Sequence, residues 1–490
     1  MRKWALLFLA FTTGCMVGPN YKKPESCMPD AFMEGSQTVL LDEDLNQWWK
    51  QFNDPLLDEL LEEACRANYD HRIALEKIIQ ARSEYQVQSS YLWPEFDIDA
   101  VATRSRNSQT LFDTGGTNTS GINAGTFLPT FQNFFHIAFD AIWELDFFGK
   151  FRRSQRAALY EWEASREEAQ DVKISIMSEV ARNYVIIRAA QQKIELLKQK
   201  IAIYEEELAL TSALYESGLD DKIQVDTTVV SLEEQQAVLP TVEATLKQTL
   251  YALAFLLGRQ PESLGAKFEE RKSIPLGLDK IPTGLPSDLL RRRPDIRRAE
   301  RALAAATEQI GVAVAELFPH ITLTGNTFSG GAFAGSAIGF ETGSLSQFLK
   351  HASQFWSVGP ALRWDILDFG KTRGNIELQK SIMRQALLTY EQTVIASLRD
   401  VEGALAVYFD EQKRRCSYAN EMEASREAFE LASDLFQAGL ANQQQVLQAQ
   451  LGFLDSQLSF TDSEQALTTY LIATYKALGG DWECSYTPLK

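Results

Sequence analysis

The chain has 490 residues, a formal net charge of −18 and five cysteines. Because nucleic acids and anionic membrane surfaces attract basic proteins, this charge argues against either as a partner. No two cysteines have the close spacing of a metal site, while a single disulfide is left open. The length would allow several domains, but an internal repeat predicts one architecture built twice.

Residues 1–14 have the pattern of a secretory signal. Two basic residues precede a short apolar stretch that cannot span a bilayer as a helix, and Gly14 then precedes Cys15. This ending is typical of a lipoprotein cleavage site, so Cys15 is predicted to be the lipid-bearing first residue of the mature protein. Met16 at the next position favours the outer membrane. An ordinary signal with a chance cysteine is the alternative.

The first predicted elements are a helix and a strand. Apolar residues recur at helical spacing over 56–92, where a Trp-Pro pair ends the helix. The period then changes to two, with apolar residues alternating with Asp97 and Asp99. A stretch rich in Ser, Thr, Asn and Gly over 105–130 predicts an exposed loop.

A second strand follows this loop, and its two faces differ in polarity. One face carries Phe135, Ile137, Phe139, Ala141, Trp143 and Leu145, and the opposite face carries His136, Ala138, Asp140, Glu144 and Asp146. This alternation indicates a strand with one apolar and one polar side.

A helical hairpin is predicted next. Residues 151–216 contain neither proline nor glycine, which predicts a helix of about 100 Å at about 1.5 Å per residue. Gly218 suits a helix end of positive φ, and a second helix is predicted over 222–257. Residues 259–286, with five prolines or glycines before 284, predict an irregular connector.

The second half repeats the first 221 residues later. Phe148-Gly149-Lys150 returns as Phe369-Gly370-Lys371, and Gly218-Leu219 returns as Gly439-Leu440. The constant offset predicts packed rods, since one inserted residue would rotate everything beyond it by about 100°. The long helices are therefore predicted again over 372–437 and from the turn at Gly439 to about residue 478.

The strands also recur in the second half. A short alternating run contains Ile321 and Leu323, a Gly-rich loop is predicted over 330–343, and a last strand is predicted over 356–366. The polar side of this last strand includes Arg363 and Asp365.

Any membrane crossing must be made by these strands. Beyond the signal, no run approaches the roughly 18 apolar residues of a membrane helix. Strands of about 10–12 residues suit a tilted crossing. Four strands cannot close a barrel, whereas three chains of four strands would give twelve. An ordinary hairpin on a soluble core and a coiled-coil spacer without a lumen are the alternatives.

Several separated motifs resemble those of outer-membrane efflux lipoproteins of the TolC-like superfamily, in the branch of NodT-type outer-membrane factors of tripartite RND pumps. They are GCMVGPNY over 14–21, WELDFFGK from Trp143, GLPSDLLRRRPDI over 284–296, ERALAAATEQIGVAVAELFP over 300–319 and WDILDFGK from Trp364. These motifs cover nearly the whole chain in the order of that branch.

The resemblance implies a mixed α and β fold. A trimeric twelve-stranded transmembrane β-barrel, with four strands per chain, would be continuous with a long periplasmic α-helical barrel. The implied divisions are a signal (1–14), an anchor segment (15–52), a first repeat (53–258), an equatorial connector (259–286), a second repeat (287–480) and a tail (481–490).

The implied function is the exit duct of a tripartite efflux pump for small molecules such as drugs or toxic compounds. Its partners would be a homotrimer's other chains, a periplasmic adaptor, an inner-membrane RND-type pump and outer-membrane lipids. An outer-membrane duct of a type I protein secretion system is the alternative within transport.

The resemblance also implies a gate at the periplasmic turns. The gate candidates are Gly218, Asp220, Asp221, Asp226, Gly439, Gln444 and Gln448, and the lumen-lining candidates are Asp97, Asp99, Asp140, Glu144, Arg363 and Asp365. The family often carries aspartate where this chain has Gln448, so an acidic ring is expected from the first repeat alone. For its three aspartates, a solvated turn beside a helix N-terminus is an equal alternative.

No catalytic, cofactor or metal site is predicted. The four histidines lie far apart, and the chain has no HExxH pattern, phosphate-binding loop or GxSxG elbow. Energy for transport must then come from a partner, and opening would be an untwisting of the turn helices. The basic cluster at 291–293 is predicted to lie at a solvated helix start or to pair with carboxylates such as Asp295 and Glu300. Binding to an acidic partner or a lipid head group is the alternative.

Overall fold

The computed structural model describes residues 16–25, 28–33, 48–106, 131–277, 286–323 and 337–480. The predictions for the signal, for lipidation of Cys15, for the loop after residue 106 and for the C-terminal tail lie outside these residues. The described chain is a mixed α and β protein, as predicted.

The described helices alternate with short runs of strand. The α-helices are α1 Pro55–Ala67, α2 Tyr69–Ser90, α3 Lys150–Glu216, α4 Lys222–Leu256, α5 Leu289–Arg292, α6 Pro294–Ala315, α7 Lys371–Gln437 and α8 Gln443–Ala477. The strands are β1 Glu95–Arg106, β2 Phe131–Leu145, β3 His320–Leu323, β4 Ala337–Thr342, β5 Gln354–Trp356 and β6 Pro360–Arg363.

The long helices confirm the constant offset read from the sequence. α3 and α7 both have 67 residues, and α4 and α8 both have 35. The glycines that flank them take positive φ in both copies, at 82° and 94° for Gly149 and Gly370 and at 71° and 76° for Gly218 and Gly439. Glycine adopts this conformation without a Cβ penalty, so each helix begins and ends at the same place in both copies.

The single helix predicted over 56–92 is wrong in one respect, because it is divided at Asn68. The backbone of Asn68 is extended, with φ −61° and ψ 132°. Its side chain accepts a hydrogen bond from the His71 amide at 3.0 Å and donates to the Leu256 carbonyl at 2.8 Å. Asparagine competes well with helical hydrogen bonding in this way, so α2 starts anew after it.

The chain divides into two compact units. The first comprises residues 1–23, 80–162 and 302–387, and the second comprises residues 24–79, 163–301 and 388–490. All six described strands belong to the first unit.

β2 is the central strand of the first unit. β1 pairs antiparallel with it from Glu95↔Ile142 to Arg106↔Phe131. On its other side β2 pairs with β3 and with β4, which lie one after the other along it. β6 pairs with β3 and β5 pairs with β4, again antiparallel. The six described strands thus occupy four positions in the sheet, the number expected from the sequence.

Two strand predictions in the second half are wrong. The Gly-rich stretch predicted as a loop over 330–343 contains β4, and the continuous strand predicted over 356–366 is the two short strands β5 and β6. A Cβ on Gly339 of β4 would lie 2.1 Å from the Ile137 carbonyl oxygen. This glycine therefore permits close strand pairing.

The second unit has an extensive apolar core. Fully buried side chains on α1, α3, α4, α7 and α8 meet there, and Trp48 stacks on Tyr475 with ring centroids 4.4 Å apart. Further along, α3 lies against α8 through Leu196, Ile203, Leu447 and Leu451. Polar bonds follow this contact, including Lys200 Nζ to Asp455 Oδ1 at 2.6 Å. Lateral packing of this kind stabilises helices that propensity alone could not.

Candidate functional site

The apolar face of the sheet in the first unit is exposed. The β1–β2 register places Phe96 and Ile98 on the same face as Phe139 and Ile137, and the β2–β4 register extends this face to Ile338. All five side chains are exposed. On the opposite face of β2, by contrast, His136 and Asp140 are buried.

This arrangement is the reverse of a sheet that packs on a soluble core. A soluble half-buried sheet buries its apolar face and exposes its polar one. Strands in contact with lipid alternate with apolar side chains outward and polar side chains inward. β2 has the second pattern, with His136 and Asp140 buried, whereas β1 is exposed on both faces.

Most of the lumen-lining candidates lie on the polar face. Asp97 is the direct cross-strand partner of Asp140, and Asp99 follows on the same side of β1. Glu144 of β2 pairs with Thr322 of β3, two positions from the His320↔Arg363 pair. Register therefore brings all five candidates within β1, β2 and β6 to one face of the sheet.

Asp365 departs from the prediction. β6 ends at Arg363, so Asp365 lies in the segment that follows the strand. Its carboxylate lies 3.6 Å from the Arg363 guanidinium. Both side chains are mainly exposed, so this ion pair contributes little to stability.

A polar network at the sheet edge was missed by sequence reasoning. His320 Nδ1 lies 2.7 Å from Glu144 Oε1, and His320 Nε2 lies 3.3 Å from Glu316 Oε2. Lys150 Nζ in turn lies 2.6 Å from Glu316 Oε1. The Glu144–His320 and Lys150–Glu316 pairs each join residues more than 150 positions apart, so no local pattern signals them, whereas Glu316 and His320 are only four residues apart.

Two tryptophans secure the strand ends in equivalent ways. Trp143 Nε1 donates to the Leu92 carbonyl at 3.1 Å, and Trp364 Nε1 donates to the Leu317 carbonyl at 3.0 Å. Each leucine stands two residues before a proline, in the turn that follows a helix ending at Ser90 or Ala315. The indole satisfies the carbonyl of this turn in both copies.

The two helical turns have the same geometry. In the first, Gly218 N donates to Tyr215 O and Leu219 N to Leu214 O; in the second, Gly439 N donates to Phe436 O and Leu440 N to Leu435 O. These are the bonds of a glycine-terminated helix end. A Cβ built on either glycine would contact nothing within 4 Å.

The three aspartates of the first turn differ in their surroundings. Asp221 caps α4 by accepting from the Gln224 amide at 3.1 Å, and Asp220 accepts from the Asp221 amide at 2.9 Å. Asp226 is exposed on α4. Two of the three therefore have a local structural role of the kind that favours carboxylates at a helix start.

The second turn replaces the acidic cap by a neutral one. Asn442 accepts from the Gln445 amide at 2.9 Å, and the Gln445 side chain accepts from the Asn442 amide at 3.2 Å, which completes a capping box. Gln448 is exposed and Gln444 partly so. Near this turn, Gln443 Nε2 donates to Glu206 Oε1 of α3 at 2.8 Å.

The basic cluster at 291–293 has the predicted structural role in its last member. Arg293 lies 2.6 Å from Asp295 and 3.6 Å from Asp400, and it donates to the Ala477 carbonyl at 3.0 Å. Glu300 instead lies 3.8 Å from Arg301. Arg293 thereby joins α6 to the end of α8.

No helix within the described ranges is both long enough and apolar enough to cross a membrane. Across those same ranges, His, Cys, Asp and Glu side chains form no cluster of three or more that could hold a metal ion.

The fold and these motifs belong to a known family. The model of the outer membrane efflux protein family matches residues 60–259 and 285–480, so the chain belongs to that family and is an outer-membrane protein. The resemblance read from the sequence is confirmed. The family and its structural neighbours are channels rather than enzymes.

Three relatives illustrate the similarity. The solvent efflux pump outer membrane protein SrpC of Pseudomonas putida is 30% identical over 98% of each chain. Nodulation protein T of Rhizobium leguminosarum bv. viciae is 28% identical over 89% of this chain and 85% of its own. The solved outer-membrane channel OprN has 29% identity and a TM-score of 0.83, covering 96% of this chain and all of OprN.

Proposed function

We propose that the chain is the outer-membrane exit duct of a tripartite efflux pump, assembled as a homotrimer and anchored by lipid at Cys15. The membrane location of the strands is supported by one observation: the apolar face of the sheet is exposed, while Asp140 and His136 on the other face of β2 are buried. Four strand positions per chain cannot close a barrel, because the edge strands would keep unpaired backbone groups. Three chains would supply twelve strands.

The polar face of the sheet would line the water-filled passage. Asp97, Asp99, Asp140 and Glu144 give this face an acidic character, with Arg363 as a basic contribution. Such a lining conducts passively, and selectivity follows from its charge and width. The partners would be a periplasmic adaptor and an inner-membrane pump that supplies the energy.

The substrates proposed are small, poorly water-soluble organic molecules. SrpC is named as a component of a solvent efflux pump, and a further relative is named as part of a toluene efflux pump. These names favour small-molecule efflux over the secretion of proteins.

We propose that the gate lies at the turns around Gly218 and Gly439. Helix untwisting there would open the passage, with Asp220, Asp221 and Asp226 as an acidic ring and Gln444 and Gln448 as the neutral counterpart. Leu219 and Leu440 occupy the same position in the two turns, and both are highly exposed. Their exposure makes both positions accessible to a thiol reagent once they are replaced by cysteine.

The first experiment is native mass spectrometry of the detergent-extracted full-length protein. A trimer with a detergent belt is expected, whereas a monomer or dimer without a belt would contradict the duct.

The gate is tested by a thiol cross-linker on Leu219→Cys/Leu440→Cys, in a background with Cys27→Ser, Cys416→Ser and Cys484→Ser that keeps the buried Cys65 and the proposed lipid-bearing Cys15. Cross-linking should abolish dye efflux and toluene tolerance without loss of trimer. Leu219→Cys alone and Leu440→Cys alone in the same background, each treated with the same reagent, are the controls. Undiminished efflux from the cross-linked protein would refute the gate.

A further inference from the structure

Arg153, near the start of α3, is surrounded by the chain's own N-terminal segment. Its side chain is fully buried and forms an ion pair with Glu308 of α6, Nη1 to Oε2, at 2.8 Å. Its remaining hydrogen bonds go to residues 17–20. All of these groups belong to the first unit.

The guanidinium of Arg153 has five N–H donors, and five acceptors surround it. Nε donates to Val17 O at 3.1 Å, Nη2 to Gly18 O at 3.1 Å and Nη1 to Pro19 O at 2.8 Å. Nη2 also donates to Asn20 Oδ1 at 3.0 Å. With the bond to Glu308, every donor is used. Three consecutive backbone carbonyls are thus bound by one side chain.

Two glycines allow this close approach. Gly18 has φ +89°, and a Cβ there would lie 2.6 Å from Gly311 Cα on α6. A Cβ on Gly311 would in turn lie 2.7 Å from Arg153 Nε. Any larger residue at either position would push the segment and the guanidinium apart.

The segment is also fixed at its beginning. Val17 N donates to the Phe148 carbonyl at 3.1 Å, and Met16 contacts the turn at Gly149 so closely that a Cβ there would lie 2.6 Å from Met16 Cγ. Gly149 has φ +82° and is the last residue of the turn between β2 and α3. The segment therefore lies directly on the β2–α3 junction.

We propose that Arg153 and Glu308 form a receptor site for the N-terminal segment, which holds residues 17–20 in one register against the β2–α3 junction. Residues 17–20 supply four of the five acceptors of the guanidinium, so water would have to replace four hydrogen bonds if the segment left. Glu308 balances the charge, three backbone carbonyls supply most of the binding, and Gly18 and the Asn20 side chain fix the register.

The consequence for the anchor rests on the proposed lipidation of Cys15. Consecutive Cα atoms are about 3.8 Å apart, so a lipid on the residue before Met16 would enter the bilayer beside the β2–α3 junction. The receptor site would then set the position of the anchor relative to the strands.

The test is hydrogen exchange at the Val17 amide in the full-length detergent-extracted protein, read by mass spectrometry with residue-resolving fragmentation. Gly311→Ala should displace the guanidinium and raise the exchange rate at Val17 at least tenfold. Gly374→Ala is the matched control, since Gly374 also lies in a helix of the first unit but has open space around its Cβ position. It should leave the rate within twofold.

Arg153→Lys gives a second, milder perturbation. Lysine retains the charge opposite Glu308 but cannot bridge three carbonyls with a planar fork, so it should also speed exchange at Val17. If Gly311→Ala fails to fold, Gly18→Ala is the substitute. It adds a Cβ to the N-terminal segment that would collide with Gly311, and it leaves the Arg153–Glu308 pair intact. Unchanged protection of Val17 in folded variants would overturn the receptor site.

The anchor position is tested separately with a diazirine fatty acid fed to the cells. A cross-link from the acylated N-terminal peptide to the peptide that contains Phe148 is expected, and its loss in Gly311→Ala would support the proposal. Cross-links spread over other peptides would overturn the anchor position. Absence of acyl mass on Cys15 would refute lipidation alone, and a wild-type protein that protects Val17 but supports no efflux would refute only the proposed transport function.

Discussion

The lipid-facing assignment of the sheet can be tested at Phe139. This side chain lies near the middle of β2 and is 48% exposed on the apolar face. The perturbation is Phe139→Arg, and the matched control is Asp99→Arg. Asp99 is exposed and pairs with Ala138, so it lies one register position from Phe139 on the opposite face.

The expected loss follows from the exposed area. An aromatic side chain presents roughly 200 Å², of which about half is exposed at Phe139, so covering it with lipid contributes about 2.5 kcal/mol at ~25 cal/mol/Å². Arginine near the membrane midplane costs about 2–4 kcal/mol, roughly a 30- to 700-fold change in equilibrium. On a soluble surface the same substitution would change stability by only about 0.5 kcal/mol. The control should change stability by no more than that.

The assay is urea unfolding of the protein reconstituted in vesicles, together with the amount of protein recovered in the outer-membrane fraction. The lost phenyl contact and the cost of arginine together predict a loss of about 4.5–6.5 kcal/mol for Phe139→Arg, with little loss for Asp99→Arg. Equal behaviour of the two variants would refute the assignment of this face to lipid.

Two further predictions concern the helices. Gly439→Ala places a side chain at φ +76° without any steric contact, so it should cost about 1–2 kcal/mol, whereas Gly374→Ala should gain up to about 1 kcal/mol. Opposite shifts of Tm are expected, and shifts of the same sign would contradict the strain. Burial raises the pKa of Glu207 above its unfolded value. Protonated Glu207 therefore stabilises the folded protein at low pH, and this contribution is lost as pH rises through the raised pKa. Glu207→Gln should therefore raise Tm at pH 8 but not at pH 4, and an equal rise at both would contradict this.

The long helices were predictable because their signal is local and repeated. Absence of helix breakers over 151–216, a glycine at each turn and a constant offset determine both ends of α3 and α7. Packing then preserves the length, since an insertion would rotate all later side chains. The two faces of β2 were also predictable, because alternation of apolar and polar residues is a local signal.

The failures involve partners that lie far away in sequence. β4 contains a glycine and follows a Gly-rich stretch, so local composition favoured a loop, yet pairing with β2 makes it a strand. Arg153 and Glu308 are 155 residues apart, and each resembles an ordinary charged residue of a helix surface. Only the fold shows that they are buried together. The sequence allowed Asp221 to be either a gate residue or part of a helix start. In the structure it caps α4 by accepting a hydrogen bond from the Gln224 amide.

The shared geometry of the two turns affects how the proposed trimer would meet a partner. Gly218 and Gly439 have nearly the same φ and the same pattern of bonds, so three chains would present six turns of one shape. Their charges differ, because Asp220 and Asp221 correspond to Ala441 and Asn442. A partner with a single binding motif could then occupy all six turns by shape, or only alternate ones by charge. Stoichiometry would thus be decided by two residues in each chain.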